Sequence, residues 1–454
     1  MDTIWAEHAL TAAGWQHGVR LAIGGDGRID SVTPDSAPEG RSVGLLLPAP
    51  ANLHSHAFQR AMAGLTESRG PGGQDSFWTW RRLMFRFLDQ LTPGDVEAIA
   101  AFAQMEMLEA GYAAVGEFHY LHHAPDGSAY DDPAEMSARI AAAAAETGIG
   151  LTLLPVLYQQ GGCDGRALAP GQRRFGTDAD GFARLHAAAG RALAGLGPDT
   201  RLGVAPHSLR AVTPDGLAAA VALAGDGPIH MHLAEQAAEV AEVQAAHGQR
   251  PVEWLLENAA PGPAWCLVHC TQMQPHETTA LAETGAVAGL CPMTEASLGD
   301  GIFDGARWLE AGGRLGIGSD SNIRISLTEE LRLLEYSQRL RDRARAVLAS
   351  TEQSTGRRVY AAAVAGGAKA LGRDAGRIAP GALADLVALD AGNPDFAGRS
   401  GDRLLDSWIF AGDDRAVTDV WSAGRHVVTG GRHPAHVAIT RRYVETLNRL
   451  KDAM

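Results

Sequence analysis

Histidines and carboxylates sit at the ends of short apolar runs, in a pattern suited to hydrolysis at a metal. One run ends in His54-Ser55-His56, another in His230-Met231-His232-Leu233-Ala234-Glu235, a third in His269 and a fourth in Ser319-Asp320. Residues i and i+2 of a strand share a face, so His54 projects with His56, and His230 with His232. Neutral imidazoles with one carboxylate suit Zn²⁺ or Fe²⁺ and leave a position open for water. Any one of these histidines alone is equally well explained by packing. Four separate runs ending in the same residue types point to a shared site.

Those runs must be placed by a scaffold. Strand-like segments fall at 51–56, 113–120, 151–158, 202–209, 229–235, 266–270, 286–295 and 315–320, with Ala-rich helical stretches between them. Eight such alternations predict an α/β chain folded as a (β/α)8 TIM-like barrel, whose C-terminal strand ends carry the site. A doubly wound open sheet is the alternative, but no Gly-rich turn follows the first strand. Residues 1–47 and 376–434 share a strand-and-turn texture, including the Gly-Gly turns near 24 and 430. They are expected to join as a small β-sandwich domain beside a barrel spanning 48–375, with a terminal helix over 435–454.

Composition excludes several classes. The 454 residues carry 39 Lys+Arg against 53 Asp+Glu, a net charge of −14, which disfavours binding of nucleic acid through its phosphates. No apolar run approaches the roughly 20 residues of a membrane helix. The N-terminus lacks a basic segment followed by an apolar one, and four scattered cysteines suit a reducing cytoplasm. Only Lys369 and Lys451 are lysines, so Schiff-base chemistry is excluded from the first 368 residues.

The His-x-His, the His-x-x-Glu of 232–235, His269, Asp320 and the split β domain together resemble the amidohydrolase superfamily over nearly the whole chain. Many of its members bridge two metals with a carboxylated lysine, which this chain lacks. The resemblance therefore implies the mononuclear deaminase branch and one divalent metal, Zn²⁺ foremost. By that resemblance His54, His56, His232 and Asp320 bind the metal, His232 being preferred to His230 for its spacing to Glu235. His230 is then a core histidine. The same resemblance makes Glu235 the proton carrier, His269 the group that holds and polarises the attacking water, and Asp320 the acceptor of its proton. Cys291-Pro292-Met293-Thr294-Glu295 resembles a shaping loop of the superfamily, with no catalytic role for Cys291. Cys163, Cys266 and Cys270 read as small buried residues.

Four further motifs, His54-Ser-His-Ala-Phe-Gln59-Arg60, Ser76-Phe-Trp-Thr-Trp80-Arg81, Glu117-Phe-His-Tyr120 and Ala205-Pro-His207-Ser-Leu-Arg210, resemble the branch that deaminates N-formimidoyl-L-glutamate. The resemblance implies that Gln59, Arg81, Tyr120, His207 and Arg210 hold this dianionic substrate. Arg81 is preferred to Arg82 because it directly follows Trp-Thr-Trp. Arginine suits the task chemically, since its planar fork pairs with carboxylates bidentately. Arg60 and His119 read as structural, and His122 and His123 as structural or exposed loop residues. A homodimer is the assembly the superfamily implies, with no nucleic-acid or membrane partner. Two rival functions stay open: deamination of a guanine-like base, and a non-catalytic metal-binding barrel acting as sensor or scaffold.

Overall fold

A computed structural model describes residues 2–67 and 77–451, with side chains in the helix that opens at Phe77 described from Leu83 onward. The chain starts with β1 (Asp2–Thr11), β2 (Gly14–Ile23), β3 (Ile29–Thr33) and β4 (Arg41–Pro48). Its far end supplies β14 (Leu386–Leu389), β15 (Val417–Ser422) and β16 (Arg425–Thr429). These seven strands form one sheet in the order β16-β15-β14-β4-β1-β2-β3. The two chain ends meet where β4 and β14 pair antiparallel, with Leu386 opposite Pro48 and Leu389 opposite Leu45. Ile4, Val19, Leu21, Ile29, Leu386 and Trp421 are among the apolar side chains this sheet buries in a cluster of its own.

After the Pro48-Ala49-Pro50 break the chain enters the barrel. Its strands are β5 (Ala51–Ser55), β6 (Ala114–His119), β7 (Gly150–Leu157), the short pair β8 (Arg201–Leu202) and β9 (Ala205–Pro206), β10 (Ile229–Leu233), β11 (Trp265–His269), β12 (Val287–Leu290) and β13 (Arg314–Ile317). Within the barrel all pairing is parallel, and isolated parallel bridges Val204–Ile229 and Ser55–Asp320 join the two halves of the ring. The expected strand over 202–209 is shorter and interrupted. At the interruption Gly203 packs so tightly that a Cβ there would lie 2.4 Å from the Pro228 carbonyl oxygen. Every residue of β5, β6, β7, β10, β11 and β12 is buried, as expected for strands covered on both faces.

Local chemistry sets the helices of the outer ring. Thr92 and Asp95 form a capping box at the helix Pro93–Glu109, and proline also opens Pro214–Ala224, Pro251–Asn258 and Pro275–Glu283. Proline is favoured there because the first helical N–H has no partner within the helix. The terminal helix His436–Leu450 docks on Pro93–Glu109, with Phe102 and Tyr443 stacked at 3.9 Å.

At the N-terminal face of the barrel, Arg373 is fully buried and forks onto Asp385, just ahead of β14, at 3.0–3.1 Å. It also reaches Asp199, ahead of β8, at 3.1 Å. Gly150 makes room for this guanidinium, since a Cβ there would meet Arg373 at 2.6 Å. Arg373→Met would strip the buried Asp385 of its guanidinium, while Asp199 keeps the fork of Arg425 at 2.7 and 2.8 Å, and removing one partner of such a pair costs about 3–5 kcal/mol. Denaturant unfolding should register that loss, while kcat/KM stays unchanged because the site lies at the opposite face.

Candidate active site

Three barrel strand ends bring four side chains to one point. His54 and His56 come from β5 and its exit, His232 from β10, and Asp320 from just beyond β13. His54 Nε2 and His232 Nε2 are 3.2 Å apart, and Asp320 Oδ1 lies 3.2 Å from His56 Nε2 and 3.5 Å from His54 Nε2. All four side chains are buried. His56 Nδ1 lies 2.9 Å from the Phe118 carbonyl oxygen and His232 Nδ1 lies 3.1 Å from that of His207. A carbonyl only accepts, so each Nδ1 carries the proton and each Nε2 turns a lone pair to the centre. Lone pairs facing one another at this range beside a carboxylate fit a cation. His54, His56 and His232 form one group whose donor atoms lie within 4.8 Å of one another, and His269, Cys291 and Asp320 form a second.

The proton-handling groups stand beside it. His269 Nε2 is 3.8 Å from Asp320 Oδ2 and 3.9 Å from Glu235 Oε1. Ala234, His269 and Asp320 adopt positive φ of 49°, 71° and 45°, a region costly for non-glycine residues and held only where the surroundings enforce it. Here they do. Glu239 accepts from the backbone N–H groups of Ala234 at 3.2 Å and Glu235 at 2.9 Å. Glu295 Oε1 lies 3.3 Å from His269 Nδ1 and accepts the Cys291 N–H at 2.8 Å. Asn52 exchanges hydrogen bonds with Ser319, which donates to Asn322, and Asn322 donates to Ser55 and to the His56 carbonyl. This lattice closes the barrel between its first and last strands and locks two of the convergent residues to each other.

The electrostatics follow from burial and these contacts. Burial lowers His54 to about 3 and pushes His56 and His232 down, keeping all three imidazoles neutral. Burial would raise Asp320, but the imidazoles of His54, His56 and His269 around it hold it well below the carboxylate range. Burial raises Glu235, opposed by His269 and Arg210. Burial lowers His269, yet Glu235, Glu295 and Asp320 carry it up to about 10.

A cavity of about 580 Å³ opens from these groups. His56, His232, Glu235, His269 and Asp320 line one part of it, and Gln59, Tyr120, His207 and Arg210 line it as well. Gln59 Nε2 donates to the Tyr120 hydroxyl at 2.7 Å. Arg210 is only 9 % exposed, and its Nε has no acceptor among the described residues. Arg81 belongs to the helix Phe77–Leu88, but its side chain, like that of Arg82, lies outside the described residues, as does Ser76 of the same motif. Met84, one turn on, reaches the cavity.

Other readings meet mixed outcomes. His230 lies deeper, its Nε2 2.7 Å from the Ala370 carbonyl oxygen. Arg60 pairs with Glu106 at 2.6 Å. His122 and His123 are not exposed: their Nε2 atoms meet the Val156 and Gly176 carbonyl oxygens at 2.9 and 2.8 Å, pinning the loop after β6. Cys163 is half-buried rather than buried. The sequence suggested no role for Tyr158, Thr294 or Ser321, which line the cavity, nor for the two clamping carboxylates. Both carboxylates left a signal: Glu239 lies four residues after Glu235 at the start of a helix, and Glu295 ends the Cys-Pro-Met-Thr-Glu motif.

Residues 45–427 match the amidohydrolase family, and residues 1–42 match the N-terminal domain described as that of formimidoylglutamate deiminase HutF. The chain is 51% identical over the full length of both proteins to formimidoylglutamate deiminase of Pseudomonas aeruginosa. It is 29% identical to a 5-methylthioadenosine/S-adenosylhomocysteine deaminase of Natronomonas pharaonis, over 89% of this chain and 83% of that one. Among solved structures, an amidohydrolase from Brucella melitensis superposes with a TM-score of 0.95 at 48% identity, covering 99% of this chain and 100% of the other. A zinc-bound adenosine deaminase from Xanthomonas campestris has a TM-score of 0.83 at 22% identity, covering 99% and 98%, a likeness of fold.

Proposed function

The chain belongs to the amidohydrolase family, and we propose that it hydrolyses N-formimidoyl-L-glutamate to N-formyl-L-glutamate and ammonia, a step of histidine degradation. The observation that carries this reading is Arg210: a buried guanidinium whose Nε–H meets no acceptor among the described residues, lining the same cavity as Glu235 and His269. A neutral purine offers such a group acceptors but no charge, whereas a carboxylate supplies two acceptor oxygens and the opposite charge.

In this reading His54, His56, His232 and Asp320 hold one divalent cation, Zn²⁺ by preference for nitrogen and oxygen donors. Such a cation supplies a Lewis acid that lowers the pKa of water from 15.7 to roughly 7. The chain's own groups do the rest. Asp320 accepts a proton from the attacking water, and His269 orients that water from its place between Asp320 and Glu235. Glu235, its pKa raised by burial, passes a proton to the amidine nitrogen as oxygen bonds to carbon. Glu235 then takes the proton of the adduct's hydroxyl and delivers it to the departing nitrogen, the carbon–nitrogen bond breaks, ammonia leaves as the formyl carbonyl forms, and the proton on Asp320 restores Glu235. Arg210, Arg81, His207, Tyr120 and Gln59 grip the glutamate part. The four free thiols fit a cytoplasmic location.

Product analysis tests the bond broken. Ammonia and N-formyl-L-glutamate should appear in equal amounts. Formamide and glutamate would mean cleavage on the other side of the amidine carbon and would overturn the reading.

A further inference from the structure

Ser321 directly follows Asp320 and lines the cavity, as does Thr294 of the helix Pro292–Leu298. Both side chains are buried, and their hydroxyl oxygens lie 2.9 Å apart. Thr294 is the one side-chain hydrogen-bond partner of Ser321 among the described residues.

The sense of that hydrogen bond follows from two further contacts of Thr294. Its Oγ1 lies 3.3 Å from the Ser319 carbonyl oxygen, which can only accept, and 3.4 Å from the Ser321 backbone nitrogen, which can only donate. The single Thr294 hydrogen therefore goes to Ser319. The two lone pairs of Oγ1 take the Ser321 N–H and the Ser321 hydroxyl hydrogen. No other arrangement makes hydrogen bonds of all three contacts. Ser321 thus spends its hydrogen on Thr294 and keeps only lone pairs for the cavity. The matching ligand group is an N–H.

The ring of strands indicates which N–H. β13, which leads into Ser321, is joined to β5 by the Ser55–Asp320 bridge, and Ser321 shares a recess of about 280 Å³ with Gln59 just beyond β5. Glu235 stands at the end of β10, with β11 and β12 in between. Glu235 serves the departing nitrogen, whereas Gln59 belongs to the grip on the glutamate part. Between these two parts of the substrate lies the nitrogen that joins the amidine carbon to glutamate, and it keeps its hydrogen throughout the reaction.

We propose that Ser321 accepts a hydrogen bond from this linking N–H, which makes it a specificity-determining residue for amidines of amino acids, and that Thr294 is the positioning residue that holds Ser321 as an acceptor. The proposal rests on the reading of the cavity as a site for N-formimidoyl-L-glutamate. Removing the acceptor leaves the buried donor unmet, which costs more than the net worth of the bond itself.

The test is equilibrium binding of two stable dicarboxylates to metal-replete protein. N-formyl-L-glutamate carries the linking N–H. 2-(Carbamoylmethyl)pentanedioate has a methylene in its place and keeps both carboxylates, the carbonyl and a terminal nitrogen. Ser321→Ala should weaken N-formyl-L-glutamate roughly 5- to 100-fold, the range for a buried donor left unmet, and bind the methylene analogue within twofold of wild type. On N-formimidoyl-L-glutamate kcat/KM should fall by a like factor through KM, because that N–H is bound alike in ground and transition states. Thr294→Val frees the Ser321 hydrogen to turn against the N–H and should weaken N-formyl-L-glutamate by about threefold or more. Thr294→Ser keeps the hydroxyl and should bind as the wild type does. Wild-type protein that releases no ammonia would refute the proposed reaction, while binding of the two dicarboxylates still decides the role of Ser321. N-formyl-L-glutamate affinity within twofold of wild type in Ser321→Ala, or equal losses on both ligands, overturns the assignment. Wild-type binding by Thr294→Val, or a loss in Thr294→Ser as large as in Thr294→Val, removes Thr294 from it.

Discussion

Glu235→Gln lowers kcat on N-formimidoyl-L-glutamate by about 10²–10⁴-fold, the usual contribution of a positioned acid–base group, with the metal content unchanged. Steady-state ammonia release together with elemental analysis measures both. The amide is isosteric and keeps the backbone N–H that Glu239 grips at 2.9 Å, so the local chain stays in place. It cannot carry a proton. None of the groups proposed to hold the cation touches this change, since His54, His56, His232 and Asp320 are intact. KM should move little, because the lost interaction is made only as the proton is delivered. Activity within twofold of wild type would show that another group ferries the proton, and Glu235 would lose its role.

Arg210→Met raises KM for the dianion, with kcat nearly preserved. Truncating one partner of a buried, hydrogen-bonded charge pair costs about 2–5 kcal/mol, or roughly 30- to several thousand-fold in kcat/KM. Methionine retains much of the apolar stem, so the cavity wall beside His207 and Tyr158 stays packed. The effect falls on KM because the carboxylate lies away from the reacting carbon and is bound alike in ground and transition states. A kcat defect with unaltered KM would place Arg210 in the chemistry instead. No change in either would remove it from the substrate.

How much of this was legible in the sequence depends on distance along the chain. The eight barrel strands stood out because each is a short apolar run between amphipathic helices, and residue spacing along one strand decides which side chains share its face. Thus His54 with His56, and His230 with His232, could be paired before any fold was known, while the choice of His232 to go with Glu235 came from the family resemblance. The strand near 202–209 was over-extended, since its interruption at Gly203 is set by contact with Pro228, which periodicity does not register. His122 and His123 are structural, as one of their two readings had it, but their partners could not be named, being carbonyls of Val156 and Gly176 on segments 34 and 53 residues away. Glu295 was visible in its loop, but its hold on His269 exists only once β11 and β12 are neighbours. Likewise the Thr294–Ser321 bond joins a helix to a strand end that nothing in the sequence pairs with it.

Whether this barrel acts on a linear dicarboxylate amidine or on a purine is decided by ammonia release from one metal-replete preparation, with N-formimidoyl-L-glutamate, guanine and 5′-methylthioadenosine compared by kcat/KM. N-formimidoyl-L-glutamate should be preferred by about 10⁴-fold or more, the discrimination reached when a site is built around the substrate's polar groups. Turnover of either purine without turnover of N-formimidoyl-L-glutamate would contradict it.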